Sequence, residues 1–203
     1  NFFSIVFIDN SLKEFNFKLL KLNIKKNKNI FIIGQIQDPS IFKAKSNIIY
    51  KEITDFLSAK SNLKKIPSKI SNKSIAVCIR NFEEVKDSDL KFVGGKCSEK
   101  FYLKCVKNFN SIKSKKIFLF TQNFKSINKK IFKKYQFFKN LNEFETILIL
   151  SNFKNIIISN SSFFWWGAWL SSIRYKNKNK ILTNNHFPKK YTNMKLWKII
   201  IDN

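Results

Sequence analysis

Acidic residues are scarce in this chain of 203 residues: 13 Asp+Glu face 39 Lys+Arg, for a formal charge of +26. Glycine (4) and proline (3) are too few for a collagen-like or linker-type chain. No apolar run reaches the roughly 18 residues that span a bilayer, so a soluble or peripheral protein is expected. The three cysteines, Cys78, Cys97 and Cys105, form no CxxC pair, and with His186 the sole histidine a zinc site built by the chain is not expected. Unpaired thiols fit a reducing compartment. The one methionine is Met194 and residue 1 is Asn, with no charged leader or signal-type apolar core before Phe2. The chain therefore reads as an internal part of something longer.

What is present is apolar. Hydrophobic residues make up 44% and aromatics 16%, with 23 Phe, which excludes disorder as the main state. Lysine pairs such as Lys25-Lys26, Lys115-Lys116, Lys129-Lys130, Lys133-Lys134 and Lys189-Lys190 are spread over the whole chain. A nucleic-acid module concentrates its cations on one element and interleaves stacking aromatics. The even spread points instead to solvated lysines from a chain-wide enrichment in Lys, Asn, Ile and Phe, although either reading leaves attraction to phosphates and lipid headgroups.

The first seventy residues carry one clear apolar run, 29–37 (NIFIIGQIQ), read as a strand, followed by Asp38-Pro39-Ser40 as a turn or helix start. Residues 55–60 read as a short helix, and the polar stretch 61–74 as a linker, so a domain boundary is expected near residue 70. Beyond it, strands are expected at 75–79, 116–121, 155–159 and 180–183, and helices at 98–109, 125–135, 145–151 and 163–173. This alternation argues for an α/β domain with a parallel sheet covered on both faces, whose ligands sit beyond the carboxyl ends of its strands.

Two strand ends carry polar chemistry. After Ile79 come Arg80, Asn81, Phe82, Glu83 and Glu84. The arginine fork suits a phosphate, or else an ion pair with Glu83 or Glu84. After Ile158, Ser159-Asn160-Ser161-Ser162 precede an aromatic helix whose start is suited to an anion, or is an ordinary N-cap. Trp165, Trp166, Trp169 and Leu170 have the spacing of a buried helix face.

The stretch ISNSSFFWWGAWLS, 158–171, resembles the N-S-S/T-F-S-W-W-A/G-A signature of the alpha-1,2-fucosyltransferase family. IAVCIRNFEE is similar to that family's strand and H-x-R-R-x-D segment, KFYLKCVKN to the following helix, and KIFLFTQN to the strand ending in F-S-D-D. LSNFKNIIISNSS resembles the lead-in to the signature, and IFIIGQIQDPSIFK an earlier segment. The resemblance implies a GT-B-like glycosyltransferase with two Rossmann-like domains: residues 1–70 would be the remnant of the N-terminal, acceptor-side domain and 71–203 the donor-binding domain. It implies an inverting transfer of fucose from GDP-fucose to a galactose hydroxyl of a glycan, with no obligatory metal or other cofactor. The unpaired cysteines and the basic charge set the expected location as the cytoplasm, with peripheral contact at the inner membrane face.

Carried over by position, Arg80 would meet the diphosphate and Asn160, Ser161 and Ser162 would line the nucleotide side, with Asn81 and Trp165 also counted among the donor-binding residues. Glu83 would be the base beside Arg80. The chain departs from the pattern at Cys78 (histidine in the family), Asn81 (arginine), Glu83 (aspartate), Gln122 and Asn123 (two aspartates) and Phe164 (serine). The acidic residue expected ahead of the signature falls on Thr146, with Glu145 beside it. The clamp has thereby lost one positive charge. A catalytically weak, transferase-like binding domain is the alternative expectation, with a basic nucleic-acid-binding protein ranked behind it.

Overall fold

Ser74–Ile79 is buried at all six positions, as a strand covered on both faces must be, and it forms the middle of the sheet. The computed structural model describes residues 3–7, 29–33, 45–63, 67–90, 95–138, 140–176, 178–186 and 197–202. The chain forms two compact units, Asn1–Gln37 and Asp38–Asn203. In the first, β1 (Phe3–Phe7) pairs in parallel with β2 (Asn29–Ile33), Phe3 lying opposite Asn29. The strand expected at 29–37 is thus described over its first five residues. Its remainder and the Asp38-Pro39-Ser40 turn lie outside the described residues. The β1 strand was not anticipated.

The second unit contains a six-stranded, wholly parallel sheet built from β3 (Ser74–Ile79), β4 (Lys116–Thr121), β5 (Gln136–Phe137), β6 (Asn155–Ile158), β7 (Lys180–Asn184) and β8 (Trp197–Ile200). Its order is β5-β4-β3-β6-β7-β8. Counted within the sheet this is the 3-2-1-4-5-6 order of Rossmann-type sheets, which reverses direction between β3 and β6. The expected α/β class with a parallel sheet is therefore what the chain adopts.

Alternation along the strands sorts the core into two layers. Ala76, Cys78, Phe118, Phe120, Ile156, Ile158 and Ile181 face one side, against α1 (Ser46–Ala59), α4 (Glu143–Leu150) and α5 (Ser162–Arg174). Ile75, Val77, Ile79, Leu119, Ile157 and Leu182 face the other, against Phe101, Tyr102 and Cys105 of α2 (Glu99–Lys107) and Phe132 of α3 (Lys129–Phe132). Helices thus cover both faces of a parallel sheet, as its apolar strands require.

Three boundaries differ from expectation for local reasons. Helix α1 begins at Ser46, well before residue 55, and its Tyr50 hydroxyl bonds to Arg174 of α5 at 3.3 Å. It belongs to the second unit, so the compact units divide at Gln37 rather than near residue 70. The stretch 125–135 is not one helix, because Asn123 and Asn128 each cap a separate short turn before β5 begins. Helix α4 starts two residues early, at a capping box formed by Asn142 and Glu145.

Gly167 permits α5 to lie close against α4. A Cβ built there would meet Leu150 Cδ2 at 2.5 Å, Cγ at 2.9 Å and Cβ at 3.1 Å. Leu150 is fully buried and cannot swing away. Gly167→Ala is therefore expected to cost about 1–3 kcal/mol through overpacking, despite alanine's better helix propensity. A lowered midpoint in urea unfolding checks this.

Candidate functional site

The two polar strand ends meet where the strand order reverses. Strands β3 and β6 are neighbours, and their ladder runs past the last paired residues. The Ser159 N–H donates to the Cys78 carbonyl at 3.2 Å, and the Arg80 N–H donates to Ser159 Oγ at 3.0 Å. Ser161 caps α5, its Oγ accepting from the Phe164 N–H at 3.4 Å. Arg80 and the start of α5 therefore share one corner at the carboxyl edge of the sheet, the position where ligands of such sheets bind.

Arg80 does not present an unoccupied fork. Its two terminal nitrogens bond to the two carboxylate oxygens of Glu84, Nη1 to Oε2 at 3.2 Å and Nη2 to Oε1. The guanidinium also lies 4.8 Å above the Phe82 ring. Phe82 is buried with φ of 51°, a left-handed conformation that bends the chain sharply and brings Glu84 back over Arg80. The turn is closed by the Val85 N–H bonding to the Phe82 carbonyl at 3.0 Å. Of the two glutamates offered by the sequence, Glu84 is the arginine's partner. Its own backbone N–H and Arg80 hold its carboxyl below the usual range.

Asn81 and Glu83 reach the other way, toward the loop after β4. Asn81 Nδ2 donates to Ser126 Oγ at 2.7 Å, and Asn123 Nδ2 donates to Glu83 Oε2 at 2.9 Å. Hydrogen bonding from Ser126, then from Asn123, lowers the Glu83 pKa, so this exposed carboxylate is ionised at neutral pH. Asn123 thus stands beside the Arg80 loop and organises it.

Around α5, Ser162 is exposed and Asn160 half-buried, so both border solvent at the strand end. Trp165 is different. It is 0% exposed, stacked nearly parallel to Trp169 with centroids 6.3 Å apart and close to Trp166 and Trp197. The assignment of Trp165 to ligand contact is corrected: one turn into α5, its side chain rotates into the core layer and offers no surface.

The start of α2 is already neutralised. Asp202, just past β8, accepts from the Ser98 N–H at 2.8 Å and from Ser98 Oγ at 2.5 Å. By contrast, α5 has a hydroxyl cap and no acidic side chain in its first turn, which leaves its dipole available to an anion.

Sequence reasoning missed a second polar group on the α2 side of this edge. Asn184 Nδ2 donates to Cys97 Sγ at 3.0 Å, and the Tyr102 hydroxyl faces Ser159 and Cys97 without closing a hydrogen bond to either. The buried Asn184 Oδ1 and His186 Nδ1 likewise find no hydrogen-bond partner among the described residues. No spacing in the chain announces this cluster, because three different elements contribute to it. Burial pushes the Cys97 thiol up to about 12 and that of Cys78 well above its ordinary value, so neither supplies a thiolate nucleophile. Among the described residues no group of three His, Cys, Asp or Glu side chains could hold a metal ion.

These features define an α/β protein with a doubly wound parallel sheet and a polar corner at its switch point. No family model, curated protein or solved structure matches the chain. Among the described residues no helix is long and apolar enough to cross a membrane.

Proposed function

We propose that the second unit, residues 38–203, forms the donor-binding domain of a GT-B-like, inverting glycosyltransferase of the alpha-1,2-fucosyltransferase type. Its donor is GDP-fucose and its acceptor a galactose hydroxyl of a glycan. The observation that carries this reading is the Arg80 N–H bond to Ser159 Oγ, which ties the arginine segment to the start of α5 at the sheet's switch point.

On this reading the diphosphate lies between the Arg80 fork and the α5 N-terminus, with Asn160, Ser161 and Ser162 beside it. In the transfer the acceptor oxygen forms a bond to the anomeric carbon as the bond from that carbon to the diphosphate oxygen breaks. The electron pair leaves with GDP. Arg80 and the helix dipole stabilise the growing negative charge with donors that are already oriented. The acceptor proton passes to a base, for which Glu83 is ionised at neutral pH. No metal or other cofactor is required. The charge of +26 suits work in the cytoplasm at the inner membrane face, against anionic headgroups.

The test is thermal. GDP at a hundredfold excess over Kd is expected to add about 2.7 kcal/mol of stability, a rise of several degrees in melting temperature. UDP and CMP should give none, and Arg80→Ala should abolish the response to GDP. A GDP shift that survives Arg80→Ala would remove the clamp from the mechanism.

A catalytically weak binding domain is the second reading, favoured by the engagement of Arg80 with Glu84 and of Asn81 with Ser126. Incubating the full protein with GDP-fucose and a galactoside, and following fucosylated product and released GDP, separates the two. Binding without product supports the second.

A further inference from the structure

We propose that Glu84 is a built-in competitor for the anion site, a carboxylate that occupies the Arg80 fork until a pyrophosphate-bearing ligand displaces it. The inference rests on the donor-site reading above and adds a regulatory residue that neither the resemblance nor the strand pattern supplies.

The pair is two-pronged, each terminal nitrogen of Arg80 meeting one oxygen of Glu84. That is the geometry by which a guanidinium also takes two phosphate oxygens, so both anions compete for the same donors. The partners differ in freedom. The Arg80 side chain is 17% exposed, with Phe82 beneath it, whereas Glu84 is 56% exposed. Glu84 can therefore rotate into water while the arginine keeps its place.

The rest of the loop is fastened independently of this pair. Asn81 is tied to Ser126, Glu83 to Asn123, and Val85 to Phe82. Releasing Glu84 thus leaves the strand end and the fork in position. The open fork is only a fraction of the population, and apparent affinity falls by that fraction. For a solvent-exposed but bidentate pair, this is about a fivefold weakening.

The experiment is calorimetric titration of the full chain with inorganic pyrophosphate and with GDP, at fixed ionic strength. Glu84→Gln keeps the side chain's size and removes its charge. It is expected to bind both probes about fivefold more tightly, and Glu84→Ala to do the same. Asp87→Asn makes an equal change in net charge a few residues away and serves as the control. Adding Arg80→Ala to Glu84→Gln should erase the gain. Far-UV circular dichroism establishes that each variant is folded.

Equal affinity in the wild type and Glu84→Gln, or an equal gain in Asp87→Asn, overturns the competitor role while leaving the donor site standing. Weaker binding by Glu84→Gln also overturns it, since Glu84 would then be positioning Arg80 for the ligand. Binding of neither probe by any variant overturns the donor-site reading, and the competitor with it.

Discussion

Truncating Trp165 to alanine is expected to lower the unfolding free energy by about 3–5 kcal/mol, the largest effect of any single change considered for this chain. The indole is wholly buried and is enclosed by the rings of Trp166, Trp169 and Trp197, with centroids 5.1–6.3 Å away. Removing it leaves a cavity that neighbouring rigid rings cannot collapse to fill. Set against a typical total of about 5–15 kcal/mol, such a loss leaves much of the protein unfolded at moderate denaturant concentration. Equilibrium unfolding in urea measures it. Trp165→Phe retains an aromatic plug and is expected to fold with a smaller loss. It also separates core from ligand roles. With the ring in the core, the phenylalanine variant keeps its thermal response to GDP. A folded variant that loses this response would return Trp165 to the site.

The same residue shows where sequence legibility ended. Strands β3, β4, β6 and β7 were readable because they are short, nearly continuous apolar runs, as strands buried between two helical layers must be. Helix α5 was readable from its serine cap and its tryptophans. Deciding which tryptophan faces inward requires the helix's rotational phase against β6, which depends on packing. Helix α1 was only partly visible. Its N-cap is Lys45, which makes no side-chain capping bond, and its first turn holds no acidic residue, so the usual start signals are missing. The two-residue β5 is exposed and exists only by pairing with β4, and so it carries no pattern of its own.

At the candidate site, the sequence indicated which strand ends were polar, and strand order brought two of them together. The choice between Glu83 and Glu84 was not readable, because it turns on the left-handed backbone of Phe82. A phenylalanine gives no signal for that conformation, unlike glycine or asparagine. Tyr102, Cys97 and Asn184 were invisible as a group for another reason. The crossing from α2 to the far end of β7 is a property of the sheet order, and local spacing holds no trace of it.

Glu145 carries the second large prediction. The resemblance sets an acidic residue near this position, and in the fold the glutamate is 5% exposed and fully engaged. Its Oε1 accepts from the Asn62 N–H and its Oε2 from the Asn142 N–H, each at 3.0 Å, while Asn142 Oδ1 accepts from the Glu145 N–H at 2.8 Å. One carboxylate thus completes the N-terminal cap of α4 and fastens the chain leaving α1 to it, across 83 residues of sequence. Glu145→Ala removes half of the capping box and leaves two backbone N–H groups without acceptors. The combined cost is expected to be roughly 2–4 kcal/mol, read as a lower urea midpoint. Glu145→Gln keeps an oxygen but not the charge or the second acceptor, and should lie between the two. Amide hydrogen exchange supplies the local signature. Protection at Asn62 and Asn142 should fall in Glu145→Ala by more than global destabilisation accounts for, while amides of β3 and β6 should follow the global change alone. Uniform loss at all sites would mean that the carboxylate acts only through overall stability and does not hold α1 to α4.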